Sequence, residues 1–364
     1  MVVDFKFYLN KKDSIKAICQ ERIRRLYCSE KRELARKRFE YEYKMLVKIP
    51  DGEIAFLETA RYLQKIRNIC TSVQGYEPFI TFRGAVLSSF IAYLMGIIRD
   101  DPLNTDLLPW VFYERKRAIE FNADITIRTY KVISGYEVKL PKPVVLRIGR
   151  DSSIIEMVEG CIAYKPKASR SIYDKIRDEI IPVFFNKALC EDQQILRFLT
   201  GFDDRFVPHG FSVLEKLKEY GQLPKDQSEL SILDGFLHST LKDSDYLYAI
   251  DRAYKCGNGN IYDGLIPSIE AVYHKLRDNG FDTAAAKRIA VIAKTKNRRP
   301  GYEDMIDIVY NLGQDYMEML SNVEHLFSEC QCYQNSIREE KIMYLVCNYP
   351  DAVSEAYEET CSFM

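Results

Sequence analysis

The strand signal in this 364-residue chain falls in one window, residues 79–150, and after about residue 170 it almost vanishes and helical patterns take over. Within the window the stretches FITF, ITIRTYKVI, YEVKL and VVLRI read as strands, parted by Gly135 and by the Pro141/Pro143 pair. Beyond it, SVLEKLKEYG, DYLYAIDRAYKCG, PSIEAVYHKLRDNG, TAAAKRIAVIAKTKN, YEDMIDIVYNLG and DYMEMLSNVEHLFSE are helical patterns, several closing on the glycine that commonly ends a helix. The pattern predicts a mixed α+β chain, mostly helical: a small α+β part, then a helical array, with the change falling in 165–200. Ahead of the window, 14–48 and IAFLETARYLQKIRNICTSV are amphipathic helices, and AVLSSFIAYLMGII (85–98) reads as a buried helix.

Composition removes several classes of function. Lys+Arg (52) and Asp+Glu (53) balance to a formal charge of −1, so no global field draws the whole chain to nucleic acid or anionic membrane. Binding of that kind has to be local, and the most basic stretch is 22–38, with Arg22, Arg24, Arg25, Lys31, Arg32, Arg36, Lys37 and Arg38. That stretch is either a solvated helix face with Glu partners or a phosphate-facing surface. The ten cysteines include no CxxC pair and no histidine partner at zinc-finger spacing, which reads as reduced thiols in a cytoplasm. No apolar run approaches the ~18–20 residues of a membrane span, and the first residues lack a signal-peptide core.

Two places carry candidate chemistry. Between the FITF strand and the apolar helix lie Arg83, Gly84, Ser88 and Ser89, a junction whose hydroxyls and N–H groups suit a phosphate, although an ordinary strand-to-helix turn has the same composition. Asp124 sits in FNADITIRTY; on a strand it would share a face with Thr126, about 7 Å along the chain. Two carboxylates so placed can hold two metal ions, and here a hydroxyl stands second. The histidines 209, 238, 274 and 325 lack HxH or HxxxH spacing, and GNGNIYDG (257–264) reads as a turn between helices. No Gly-x-Ser-x-Gly elbow or Cys/His nucleophile pair occurs.

The order Arg-Gly, Ser-Ser, GIIRDDPLNTDLL and then an Asp-Ile-x-Ile segment resembles the palm of bacterial replicative polymerases, the PolC type of DNA polymerase III α subunit in particular. Upstream, RELARKRFEYEYKMLVKIPDGEIAFLETARYLQKIRN is similar to the paired helices before the palm. Downstream, GFDDRFVPHGFSVLEKLKEYGQLPKDQSELSILDGFLHSTLKDSDYL, PSIEAVYHKLRDNGFDTAAAKRIAVIAKTKNR and the stretch ending at Tyr349-Pro350 resemble the fingers. The resemblance covers 32–165 and 200–358 and rests on order and spacing. It implies a reduced palm-like region with N-terminal helices over 1–165, a linker or thumb remnant over 166–200, and an all-helical fingers-like region over 201–364.

The departures from the family pattern bear on chemistry. Its palm turn, Arg-Gly-Ser-x-Gly-Ser, has Ala85 and Leu87 here in place of the first Ser and second Gly. Its Asp-x-Asp has become Asp124-Ile125-Thr126, and two-metal phosphoryl transfer needs charged oxygen ligands for both ions. A later palm aspartate has no counterpart, Asp178 and Asp192 lying in helical context, and the Lys-x-His-Ala-Ala-Ala-Tyr segment is replaced by SECQCYQNS. AKTKNRR persists, so Lys294, Lys296 and Arg298 are candidates to face a nucleotide's phosphates, or to end a solvated helix.

The expectation is a degenerate PolC-like protein of a bacterial cytoplasm, a pseudoenzyme inactive in DNA synthesis and kept as a binding or regulatory protein. Asp124 is then a remnant catalytic and metal residue, no cofactor is required, DNA binding is weak, and replication proteins are partners. No sliding-clamp motif and none of the family's phosphoesterase-type, exonuclease or oligonucleotide-binding domains falls in these residues. The alternatives are a small active nucleotidyltransferase using Mg²⁺, with Asp100, Asp101, Glu114 and Glu120 standing in, and a structural helical partner.

Overall fold

The computed structural model describes residues 14–104, 107–113, 118–136, 138–162, 181, 184, 207–241, 246–293 and 312–363. The chain is α+β and mostly helical, and it divides into two compact units, Met1–Glu156 with Glu358–Met364, and Met157–Tyr357. The change of organisation expected in 165–200 falls almost wholly outside the described residues.

The first unit begins with three helices, α1 (Ile15–Leu26), α2 (Ser29–Leu46) and α3 (Gly52–Gln74). Ser14 caps α1 by accepting the Ala17 N–H, and Gly75 closes α3 in the left-handed conformation that glycine adopts without a Cβ clash. A three-stranded sheet follows in the order β1-β2-β3, made of β1 (Ile80–Phe82), β2 (Phe121–Ile125) and β3 (Val144–Ile148). β1 runs antiparallel to β2, pairing Thr81 with Asp124, and β2 runs parallel to β3, pairing Asp124 with Arg147. Alternation puts Phe121, Ala123 and Ile125 on the core face, where Phe56 of α3 meets Phe121 edge-on with ring centroids 5.0 Å apart. The opposite face carries Thr81, Arg83, Asn122, Asp124 and Arg147.

Three expectations need correction. ITIRTYKVI is not a strand beyond Ile125, because Thr126 caps helix α6 (Ile127–Gly135), its hydroxyl accepting the Thr129 N–H at 3.2 Å. The β-branched residues imitate a strand, yet the buried positions of α6, Ile127, Thr129, Val132 and Ile133, follow one helix face. YEVKL forms no strand at its described residues: α6 runs through Gly135, Tyr136 is its C-cap, and Lys139 and Leu140 are exposed before Pro141. The apolar stretch after β1 is buried as expected but is not one helix. A 3-10 turn (Gly84–Ser88) gives way at extended Ser89 to the short helix α4 (Phe90–Leu94), whose N-cap is Ser89 itself. Helix α5 (Trp110–Tyr113) completes the helical cover before β2, and α7 (Arg150–Ile162) follows β3.

The second unit is mostly helical, as its pattern predicts, but within DYMEMLSNVEHLFSE the helix ends at Asn322 and Val323–His325 is a strand, while YEDMIDIVYNLG falls almost wholly outside the described residues. In order come α8 (Val207–Glu219), α9 (Gln227–His238), α10 (Tyr246–Cys256), α11 (Ile261–Gly264), α12 (Ile269–Asp278), α13 (Thr283–Ala293), α14 (Gln314–Asn322), α15 (Glu329–Asn348) and α16 (Pro350–Phe363), whose last residues belong to the first unit. A short antiparallel ladder pairs Thr240 with His325. Helices α9 and α15 pack most intimately, and Gly235 is what lets them: a Cβ there would stand 2.6 Å from the Pro267 carbonyl and 2.8 Å from the Cys332 sulfur. GNGNIYDG makes the expected turn, with Asn258 and Gly259 at positive φ, before Asn260 caps α11. Among the described residues no helix is long and apolar enough to cross a membrane.

Candidate functional site

The junction expected to cradle a phosphate already holds an anion from the chain itself. Glu42, on the buried side of α2 and 0% exposed, points its carboxylate at the start of α4. It accepts the Phe90 N–H at 3.0 Å and the Ile91 N–H at 3.2 Å, the first-turn donors that no residue within a helix can satisfy. The Tyr113 hydroxyl donates to it at 3.0 Å and the Ser89 hydroxyl at 3.3 Å. Arg38, one helical turn before Glu42, neutralises it through Nε at 2.6 Å, and its Nη2 donates to the Ser88 and Leu107 carbonyls. Burial, then the neighbouring carboxylate, raise the Tyr113 pKa well above its ordinary value, so the phenol stays protonated and donates. Ser88 turns inward to the Ala85 carbonyl at 2.7 Å. The two serines singled out for phosphate are thus both buried and engaged within the fold.

Asp124 has a different neighbourhood from the one its sequence predicts. It is 1% exposed on the polar face of the sheet, and Arg83 of the Arg-Gly pair lies over it in a short ion pair. The Arg83 side chain remains 41% exposed, so the guanidinium covers the carboxylate and faces solvent. Behind the carboxylate, a Cβ on Gly149 would stand 3.0 Å from the Asp124 Cβ and 3.2 Å from the Ser152 hydroxyl, which shows how closely the first turn of α7 packs here. The buried hydroxyls of Thr81 and Ser152 have no hydrogen-bond partner among the described residues. Thr126 is not Asp124's neighbour on a strand face; its hydroxyl is committed to α6, and the Ser153 hydroxyl takes the adjacent Ile127 N–H at 3.1 Å.

These residues do not fit the paired divalent ions that the polymerase resemblance implies. The first carboxylate is neutralised by an arginine, the second position is a helix cap, and no group of three or more His, Cys, Asp or Glu among the described residues is arranged to hold a metal ion. Of the stand-in carboxylates, Asp101 is engaged by the Tyr27 hydroxyl at 2.5 Å and the Leu103 N–H at 3.0 Å, and Glu120 is exposed just before β2. Glu114, Asp178, Asp192, Lys294, Lys296 and Arg298 lie outside the described residues.

A second polar cluster, in the helical unit, has no counterpart in the sequence reading. Asp234 of α9 is 2% exposed and meets the His238 Nδ1 at 2.8 Å, one helical turn on. From α15, Asn335 donates to its other oxygen at 3.2 Å, and Arg338 donates to the Asn335 side-chain amide oxygen at 2.5 Å. The Asp-x-x-x-His spacing on one helix was the available signal. Cys332 is also buried here, and burial, then Asp234, push its thiol well above the ordinary range, which leaves it protonated and a poor nucleophile.

No family model matches this chain, and no curated protein matches it.

Two outcomes follow from this geometry. Glu42→Ala leaves Arg38, two N–H groups and a phenol without their common acceptor, and is expected to destabilise the first unit by about 3–5 kcal/mol in denaturant unfolding. For His238, burial pulls the pKa down while the charge and hydrogen bonds of Asp234 raise it, and the net is above the ordinary 6.5. A raised pKa means the stabilisation is complete below about 6.5 and is lost as pH rises through the folded value. Unfolding of the wild type across that range is expected to show falling stability, and His238→Gln to remove that component.

Proposed function

We propose that this chain is a nucleic-acid-binding protein, a degenerate relative of the palm and fingers of the PolC-type DNA polymerase III α subunit, inactive in DNA synthesis. The observation that carries the reading is the state of the remnant site: Arg83 holds Asp124 and Thr126 is spent on capping α6. Two-metal nucleotidyl transfer draws several kcal/mol of charge stabilisation from each ion, and an arginine-covered carboxylate offers neither ion a charged seat. The same sheet face, with Arg83 half out in solvent and Arg147 exposed on the next strand, suits anions better than cations.

The balanced total charge supports the binding half of the reading once it is divided by unit. The first unit holds 28 Lys+Arg against 22 Asp+Glu, a net of +6, and the second 24 against 31, a net of −7. A neutral sum therefore conceals one cationic unit, the one that contains the palm-like sheet. In this reading the protein works in a bacterial cytoplasm alongside replication proteins, needs no metal to bind, and holds nucleic acid weakly.

Primer extension with Mg²⁺ or Mn²⁺ tests the proposal. The expected result is no template-dependent product, together with binding of primed or single-stranded DNA that weakens steeply with salt. Extension abolished by Asp124→Ala would establish the active nucleotidyltransferase instead. No binding even at low salt would leave a structural helical partner.

A further inference from the structure

We infer that the solvent face of α2 is a track for single-stranded nucleic acid, with Tyr41 as a stacking platform between lysines. This rests on the nucleic-acid reading above and names the strand form and the surface. The core side of α2 is fixed by Ala35, Phe39, Glu42 and Leu46, which leaves Leu34, Lys37, Tyr41, Lys44 and Lys48 along the opposite side. All five are exposed, Tyr41 by 47% and Leu34 by 56%. The Lys48 N–H bonds to the Met45 carbonyl at 3.2 Å, so the chain continues the last turn of the helix and Lys48 stays in line with the others.

An exposed tyrosine midway along a helix needs an explanation that an exposed lysine does not. Tyr41 stacks on no aromatic ring among the described residues, whereas Phe39 and Tyr43, on either side of it in sequence, stack on each other at 5.5 Å. On its flanks stand Lys37, Lys44 and Lys48, with one exposed carboxylate, Glu40, beside them: Lys44 and Lys48 have no ion-pair partner among the described residues, and Lys37 has only a loose contact with Glu33 at 3.8 Å. From Tyr41 to Lys48 the outward face carries no acidic side chain. At the rise of an α-helix, Lys37 and Lys44 stand about 10 Å apart with the ring between them. A base can stack on that ring while the phosphates on its two sides meet the flanking ammonium groups. That combination of a basic line and interleaved aromatic is the one that holds single strands, whose bases present a free π-face. A duplex keeps those faces stacked inside and would gain from the lysines alone. The surface lies in the unit that carries the positive charge.

Fluorescence anisotropy with labelled oligo(dT) and with a duplex of equal length, over a range of salt, tests the inference on the full chain. The wild type is expected to prefer the single strand. Tyr41→Ala should weaken that binding about tenfold with little change in the salt dependence, and Tyr41→Phe should restore it, since stacking uses the ring and not the hydroxyl. Lys44→Ala/Lys48→Ala should flatten the slope of log K against log [salt] by about 1.4, or 0.7 for each lost phosphate contact. All these side chains are exposed, so thermal unfolding should be unaltered. Binding that persists unchanged in these variants would overturn the track while leaving the nucleic-acid reading in place, as would a preference for duplex or equal displacement by polyglutamate. Absence of any binding by the wild type at low salt would overturn both.

Discussion

The first unit is organised around a buried carboxylate. Glu42 joins α2 to the start of α4 and, through Tyr113, to α5, and both of its carboxylate oxygens accept hydrogen bonds. A buried charge is tolerated only when it is paired and hydrogen-bonded, and Arg38 together with two backbone N–H groups meets that condition. The position is also instructive chemically. A helix start with a serine at its cap attracts an anion whether that anion arrives as a phosphate or is supplied by the chain, and here the chain supplies it.

The same substitution of internal for external charge recurs on the sheet. Asp124, where the resemblance implies a metal ligand, meets the guanidinium of Arg83, a residue that the resemblance would have facing a phosphate. The guanidinium engages one of the two carboxylate oxygens. Thr126, in the place of the partner carboxylate, supports local structure by closing α6. The polar face of this sheet thereby pairs its aspartate within the fold and leaves Arg83 half exposed and Arg147 exposed.

The coarse fold was legible because period and breakers agree: FITF and VVLRI are strands, and SVLEKLKEYG, DYLYAIDRAYKCG and PSIEAVYHKLRDNG are helical. The stretch after Asp124 was not, because isoleucine and threonine favour strands on average, and a single capping hydroxyl decided the matter locally. Helix α4 is short for a related reason, since Ser89 caps it in the middle of an apolar run. The residues of both candidate sites could be named from order and spacing, but not what they touch. Glu42 lies 47 residues from Ser89 and Arg83 lies 41 from Asp124, and no local pattern reports such pairings. The opposite charges of the two units were likewise hidden in a neutral sum until the contacts divided the chain.

The account turns on whether Asp124 answers to Arg83 or to a metal ion. Titration of the isotopically labelled protein with Mn²⁺, followed by amide NMR, addresses this directly, because the paramagnetic ion broadens signals around any site it occupies. The account predicts no selective broadening at Thr81, Ala123 and Ile125, the strand neighbours of Asp124. Selective broadening there, abolished by Asp124→Asn, would show a working metal seat and contradict it.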